Sequence, residues 1–186
     1  VPGNSFVAAH TLLAQRGYFV NGSRVLLSER LTSQVVSAEV DLPGKSVSFW
    51  LWAWLRGDSN KLLHMLTWPS SLFRLKQGFE WRGIRSCNMA VWRDDFMAVN
   101  GFDETFEGWG HEDADLVLRL SNLGIERKNG FLATEVFHLW HRESKRDDES
   151  VNRQKVFERM ATGLVKAEKG LSQIRLDPSV CVTALQ

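Results

Sequence analysis

The sequence predicts an α/β domain. Helical stripes and short β-rich runs alternate along the chain, the pattern of a sheet with helices packed on it. Glycines and Asn-Gly pairs punctuate most junctions. Two polar, chemistry-bearing motifs fall at the ends of strands or loops, where proteins of this class bind ligands. A chain of 186 residues suits one domain with a sizeable core. The expected domain is 1–170, followed by a weakly patterned tail at 171–186.

Taken in order, Asn4 or Ser5 can cap a helix over 6–16 carrying Phe6, Ala9, Leu12 and Leu13, and Gly17 ends it. Residues 18–27 read as a strand, with Phe19, Val20, Val25 and Leu26 around Asn21-Gly22. Ser28 caps a short helix bearing Leu31, Val35 and Val36, and Pro43-Gly44 is a break. Residues 46–75 concentrate Trp and Leu, with Lys45, Arg56, Lys61 and Arg74 interspersed. Two helices joined near Gly57-Asp58 are the simplest arrangement. They are either a buried pair or a basic, aromatic pair lying on a membrane surface.

Further on, 84–92 reads as a buried strand and 93–99 as a short helix closed by Asn100-Gly101. A glycine-rich loop runs to Gly110, and 112–123 is a helix with Leu116, Leu120 and Leu123 in one stripe, stopped by Gly124. Residues 131–138 read as a strand and 142–149 as a charged loop. The helix after it is expected to turn Val156, Phe157, Met160 and Leu164 inward.

The bulk properties narrow the function classes. The formal charge of +1 supplies no field for nucleic acid. No run of about 18 apolar residues offers a transmembrane helix, and the polar start Val1-Pro2-Gly3-Asn4 is no signal peptide. Cys87 and Cys181 fit no metal or redox spacing and are expected as free thiols in a reducing cytoplasm. The 8 Trp residues fit core filling, sugar stacking or a membrane-facing edge equally well.

The densest feature runs from Gly101-Phe102-Asp103-Glu104 to Gly108-Trp109-Gly110-His111-Glu112-Asp113-Ala114-Asp115. Its glycines let the backbone take left-handed dihedrals or pass close to a ligand. The indole offers a flat face to the C–H side of a sugar ring. Glu112 and Asp113 fall in the first turn of a helix, where free N–H groups and the dipole stabilise a carboxylate anion. Such an anion suits a general base for a hydroxyl proton, and it equally suits plain capping. A second feature, His138-Leu139-Trp140-His141, follows a strand. Its imidazoles share a metal only if that strand ends near His138, since side chains alternate along a strand.

With Asn88-Met89-Ala90 before a short helix, these motifs in this order resemble the C-terminal half of family 2 glycosyltransferases. The likeness covers Phe79 to about Arg142 and is to the galactosyltransferase-type region. Bacterial chondroitin-type polymerases, animal β-1,4-galactosyltransferases and polypeptide N-acetylgalactosaminyltransferases share that region. The resemblance implies a GT-A, Rossmann-like fold, a nucleotide-sugar donor (UDP-sugar by default), a glycan or lipid-linked saccharide acceptor, and a divalent metal. Asp113 would be the catalytic base, Glu112 would bind the acceptor, and Trp109 would flank both sugars. Gly108, Gly110, Asn88 and Asp103 would complete the substrate site. A histidine after the last core strand would hold the metal, and His138 and His141 both match. Imidazole ligation favours Mn²⁺ over Mg²⁺. A base acting on the acceptor implies inversion at the anomeric carbon.

One departure shapes the expectation. Enzymes of this kind carry an Asp-x-Asp after an earlier strand, whereas the sole Asp-x-Asp here, Asp113-Ala114-Asp115, opens a helix. The uridine-binding strands would then lie upstream, in roughly 80 to 110 residues by ordinary domain size. Two other readings remain. A glycoside hydrolase would need Asp103 or Glu104 facing Glu112 or Asp113 across the bond. A carbohydrate-binding module would keep the tryptophans without metal or nucleotide. The expected location is cytoplasmic, with peripheral contact to the inner membrane face as an option.

Overall fold

The computed structural model describes residues 1–62, 74–84, 86–142 and 149–173. Its elements run α1 (Phe6–Leu13), β1 (Tyr18–Asn21), β2 (Arg24–Leu26), α2 (Glu29–Val36), α3 (Val47–Leu55) and β3 (Leu75–Lys76). They continue as β4 (Met89–Ala90), α4 (Arg93–Ala98), α5 (Glu112–Asn122), β5 (Glu126–Asn129), β6 (Val136–His138) and α6 (Glu149–Met160). The class is mixed α/β, as expected.

The run 18–27 is not one strand but two, in different sheets. β1 pairs parallel with β5 and antiparallel with β4 in a four-stranded sheet of order β3-β5-β1-β4. β2 pairs parallel with β6 in a two-stranded sheet that sets Leu26 opposite His138. The break has a local cause. At Gly22 the backbone presses on the buried Asn88 side chain, which a Cβ at this position would overlap, and the Gly22 amide donates to the Asn88 carbonyl at 2.7 Å.

β5 escaped the sequence reading because it is polar, Glu-Arg-Lys-Asn. Its cations are nevertheless buried. Arg127 donates to the Glu80 and Arg82 carbonyls at 3.3 and 3.0 Å, and Lys128 donates to the Leu13 carbonyl at 3.1 Å and Gln15 Oε1 at 2.8 Å. Backbone oxygens take up the donors that burial would otherwise leave unsatisfied. Conversely, two expected strands are shorter than read. Only Met89–Ala90 of 84–92 pairs, after a 3₁₀ turn at Ser86–Asn88. Residues 131–134 turn before β6, with Leu132 at φ +57°.

Three apolar clusters among the described residues hold the layers together, the smallest being Ala114, Leu118 and Val156 between α5 and α6. Val25 and Phe137 of the small sheet pack on Leu31 of α2 and Trp50 of α3, with Trp50 and Phe137 stacked at 4.9 Å. Phe19, Ile84 and Val99 pack on Leu116 and Leu120 of α5, each such side chain contributing about 1.5–3 kcal/mol on burial. The strand β2 therefore buries Val25 on one side and turns Arg24 and Leu26 to the other.

Helix ends follow their caps. Ser28 Oγ accepts from the Leu31 amide as expected. Ser5 makes no side-chain cap, and α1 stops at Leu13 because Ala14 is extended. α3 buries Trp50 and Ala53 and exposes Val47, Trp52 and Leu55 by 60% or more. The second helix expected in 46–75 falls largely outside the described residues. Among the described residues no helix is long and apolar enough to cross a membrane.

The inward face of α6 differs from the expectation. Asn152, Val156 and Arg159 are buried, whereas Phe157 and Met160 are each 46% exposed and Leu164 lies beyond the helix. Positions 152, 156 and 159 are an i, i+4, i+7 stripe: Asn152 donates to the Glu107 carbonyl at 2.9 Å, Val156 packs with Ala114 and Leu118, and Arg159 pairs with the carboxylates of Asp103 and Asp115. Residues 171–173 form a 3₁₀ turn tied to Asn100, and 174–186, including Cys181, lie outside the described residues.

Candidate active site

The loop before α5 is built from left-handed backbone. Asn100, Gly101, Gly108, Gly110 and His111 have φ of +63°, +71°, +73°, +97° and +71°. Four of these are glycine or asparagine, the residues that tolerate the region. His111 is not. It occupies the N-cap position of α5 with no side-chain cap bond. The turn delivers Glu112, Asp113 and Asp115 into the first turn of the helix.

These acids divide into two sets. Asp115 points inward and is fully buried, bound by Arg119 at 2.8 Å and by Arg159 of α6 at 2.7 Å. Arg119 also donates to the Val99 and Gly101 carbonyls at 2.6 and 2.8 Å, pinning the loop start. Asp113 faces a cleft of about 740 Å³, with its Oδ2 3.4 Å from the Ser86 amide, and Glu112 lines the same space.

The cleft has walls of opposite character. One carries Glu112, Asp113 and Glu149 from α5 and α6. The other carries Arg24, His138 and His141 from β2, β6 and the chain after β6. Trp81, Trp109 and Trp140 line it as well. β6 ends at His138, and the His138 and His141 rings lie 5.3 Å apart, so both imidazoles reach the cleft. Burial, then the positive charge of Arg24 and the neighbouring His141, pushes the His138 pKa down. His141 Nδ1 lies 3.0 Å from the Arg142 carbonyl. Two imidazoles alone are too few donors for the four-coordinate shell of a transition-metal site. Among the described residues no group of three or more His, Cys, Asp or Glu side chains could hold one.

The structure thus brings Glu112, Asp113, Trp109, Gly110, His138 and His141 together in one cleft. Three other expected residues stand outside its lining. Gly108 lies earlier in the loop. Asn88 is 2% exposed, with its amide donating to the Ser23 carbonyl at 2.7 Å and to the Thr134 carbonyl, and with Oδ1 3.0 Å from His10 Nε2. Asp103 is 3% exposed, accepts from the Thr105 and Glu168 amides at 3.0 and 2.9 Å, and pairs with Arg159 at 3.0 Å. Burial alone would raise the Asp103 pKa, but these amides and Arg159 outweigh it and draw it down to about 2.

Sequence reasoning missed Arg24, Trp81, His111 and Glu149 as lining residues. Arg24 was within reach, because it alternates with buried Val25 on a strand flanking the site. Trp81 and Glu149 carried no local signal. Cys87 is an exposed free thiol on the same cleft.

Comparison with known proteins points the same way. A family model described as the N-terminal domain of galactosyltransferase matches residues 70–143. Beta-1,4-galactosyltransferase 4 of Cricetulus griseus is 32% identical over 108 residues, 56% of this chain and 29% of its own. Chondroitin sulfate N-acetylgalactosaminyltransferase 1 of Homo sapiens is 33% identical over 79 residues, covering 41% of this chain and 14% of its own. Chondroitin sulfate synthase 3 of Mus musculus is 31% identical over 86 residues, covering 44% and 10% respectively. The chain therefore spans less than a third of the length of these relatives. No solved structure matches it significantly. The matched segment holds the whole loop-and-helix motif, and over that segment the chain is galactosyltransferase-like.

Proposed function

We propose that this chain is the acceptor-binding and catalytic part of a GT-A glycosyltransferase, moving a hexose or N-acetylhexosamine from a UDP-sugar to a glycan or lipid-linked acceptor with inversion. The observation that carries the reading is the shared cleft, in which Glu112 and Asp113 at a helix start meet Trp109 and the histidine pair after β6. The galactosyl- and N-acetylgalactosaminyltransferase relatives supply the donor class.

In this reading Asp113, steadied by the Ser86 amide, takes the proton of an acceptor hydroxyl. The freed oxygen attacks the anomeric carbon. The bond from that carbon to the diphosphate oxygen breaks, and its electron pair leaves with the nucleoside diphosphate. Glu112 binds the acceptor and Trp109 packs against a sugar face. Arg24 has no ion-pair partner among the described residues and provides a fixed cation on the wall facing the leaving group. His138 and His141 would contribute ligands to a Mn²⁺ site completed from outside the described residues. A divalent ion held there would supply positive charge to offset that of the diphosphate.

The alternatives draw less support. Asp103 and Glu104, the second acids a hydrolase would use, do not line the cleft, and Asp103 is committed to Arg159. A binding module has no use for an amide-steadied carboxylate beside a histidine pair. Contact with an anionic membrane surface is a further element of the proposal, resting on the exposed Trp52, Trp54 and Leu55 of α3 between Lys45 and Arg56. The test is Mn²⁺-dependent transfer from UDP-galactose and UDP-N-acetylgalactosamine to simple glycosides, measured on protein that includes the uridine-binding strands this reading requires. A product that retains the donor's anomeric configuration sinks the mechanism, and absence of both nucleotide binding and transfer promotes the binding module.

A further inference from the structure

His111 is the one left-handed residue of the 108–111 turn that is not glycine. The conformation costs an L-residue about 1 kcal/mol or more, and Gly108 and Gly110 show the cheaper solution beside it. The imidazole must therefore contribute something that a glycine would not. Capping is not that contribution, because the side chain makes no cap bond.

The surroundings of the ring indicate what it does. The side chain is nine-tenths buried, with 10% of its surface exposed, and it lines the cleft. Its ring lies 5.5 Å from that of Trp81, tilted by 51°. Nε2 stands 4.0 Å from Glu149 Oε1, beyond hydrogen-bond reach. Neither ring nitrogen has a hydrogen bond to another described residue, and neither is among the buried polar atoms left without a partner. Glu149 is 38% exposed and lines the same stretch of wall. A donor or acceptor nitrogen, a carboxylate and an indole face thus converge next to Asp113.

We infer that His111, Glu149 and Trp81 form a pyranose subsite for the acceptor. His111 hydrogen-bonds one ring hydroxyl, Glu149 accepts from the adjacent one, and Trp81 packs on the C–H face. Vicinal hydroxyls sit about as far apart as the gap between Nε2 and Oε1 requires of a bridging pair, and sugars present an apolar face beside them. The assignment rests on the transferase reading for the word acceptor. The saccharide subsite itself does not depend on it.

The experiment compares wild type with His111→Gly, which keeps the backbone conformation and removes the ring, and His111→Asn, which tolerates the conformation and retains hydrogen-bonding groups. Binding of methyl β-galactoside and methyl β-glucuronide is followed by saturation-transfer NMR, and transfer kinetics with a UDP-sugar are measured in parallel on protein that includes the uridine-binding strands. Loss of one neutral hydrogen bond should weaken glycoside binding and raise acceptor KM about five- to tenfold. Donor KM should stay at the wild-type value, Tm should not fall, and His111→Asn should recover part of the loss. Unchanged glycoside binding in His111→Gly overturns the subsite, as does a rise in donor KM alone or a fall in Tm that accounts for the loss. A wild type that binds glycosides through His111 but transfers no sugar keeps the subsite and removes the transferase. One that transfers sugar with His111→Gly unaffected does the reverse.

Discussion

Asp113 and Asp115 lie two residues apart on α5 and face different worlds: Asp115 is fully buried and bound to Arg159 at 2.7 Å, while Asp113 looks into the cleft. The spacing sends them to different sides of the helix. The sole Asp-x-Asp of the chain is thus one structural anion and one candidate base.

Replacing Asp113 with Asn removes the base and keeps the shape. The expected result is a fall in kcat of roughly 10²–10⁴-fold, the usual worth of a positioned general base, with donor affinity unchanged by calorimetry. Glu112→Gln should instead raise acceptor KM. Full activity in Asp113→Asn would reassign the base.

The histidine pair can be separated by metal affinity. Deleting an outer-shell partner of a metal ligand costs about 10–100-fold in affinity, so deleting a true ligand should cost at least that. His138→Ala and His141→Ala, titrated with Mn²⁺ in the presence of UDP, rank the two residues. If neither variant changes the titration, the metal lies elsewhere.

Asp103 links stability to acid. Its carboxyl is drawn from an ordinary 3.8 down to about 2 in the folded protein. The stabilisation is fully present above pH 3.8, is lost as pH falls towards about 2, and amounts to about 2 kcal/mol. Asp103→Asn should lower Tm at pH 7, and the gap between variant and wild type should narrow in urea melts near pH 3. A gap that stays constant with pH would show that the loss is one of packing.

Gly22→Ala should destabilise the fold by about 1–3 kcal/mol, the range for inserting a methyl into filled space. The reason is that the new carbon overlaps Asn88, whose amide is held by the Ser23 and Thr134 carbonyls. Denaturant midpoints measure it, and Gly22→Ala combined with Asn88→Ala should regain part of the loss.

Flotation with vesicles containing anionic lipid tests α3. Wild type is expected to float and Trp52→Ser/Leu55→Ser to remain at the bottom of the gradient. Identical behaviour of the two removes the membrane contact.

Much of the site was legible because its signals are local. Glycine spacing, an indole and acids at a helix start sit within 101–115, and the end of β6 at His138 met the stated condition for pairing the histidines. What the sequence hid depends on distant partners. The polar strand β5 exists because Arg127 and Lys128 find carbonyls in 80–83 and 13–15. Arg159 turns inward on α6 because Asp103 and Asp115 lie beneath it, and Asn152 does so because the Glu107 carbonyl accepts its amide. The split at Gly22 required knowing that Asn88 fills the space beside it.

The buried quartet of Asp103, Asp115, Arg119 and Arg159 has a consequence for inheritance. Two anions and two cations balance, and losing any one member strands an opposite charge away from water. Single steps away from it are penalised in every direction, so descendants should either keep all four or exchange them together. The quartet would then travel through a lineage as one character, marking kinship between chains whose cleft residues have diverged to suit different sugars.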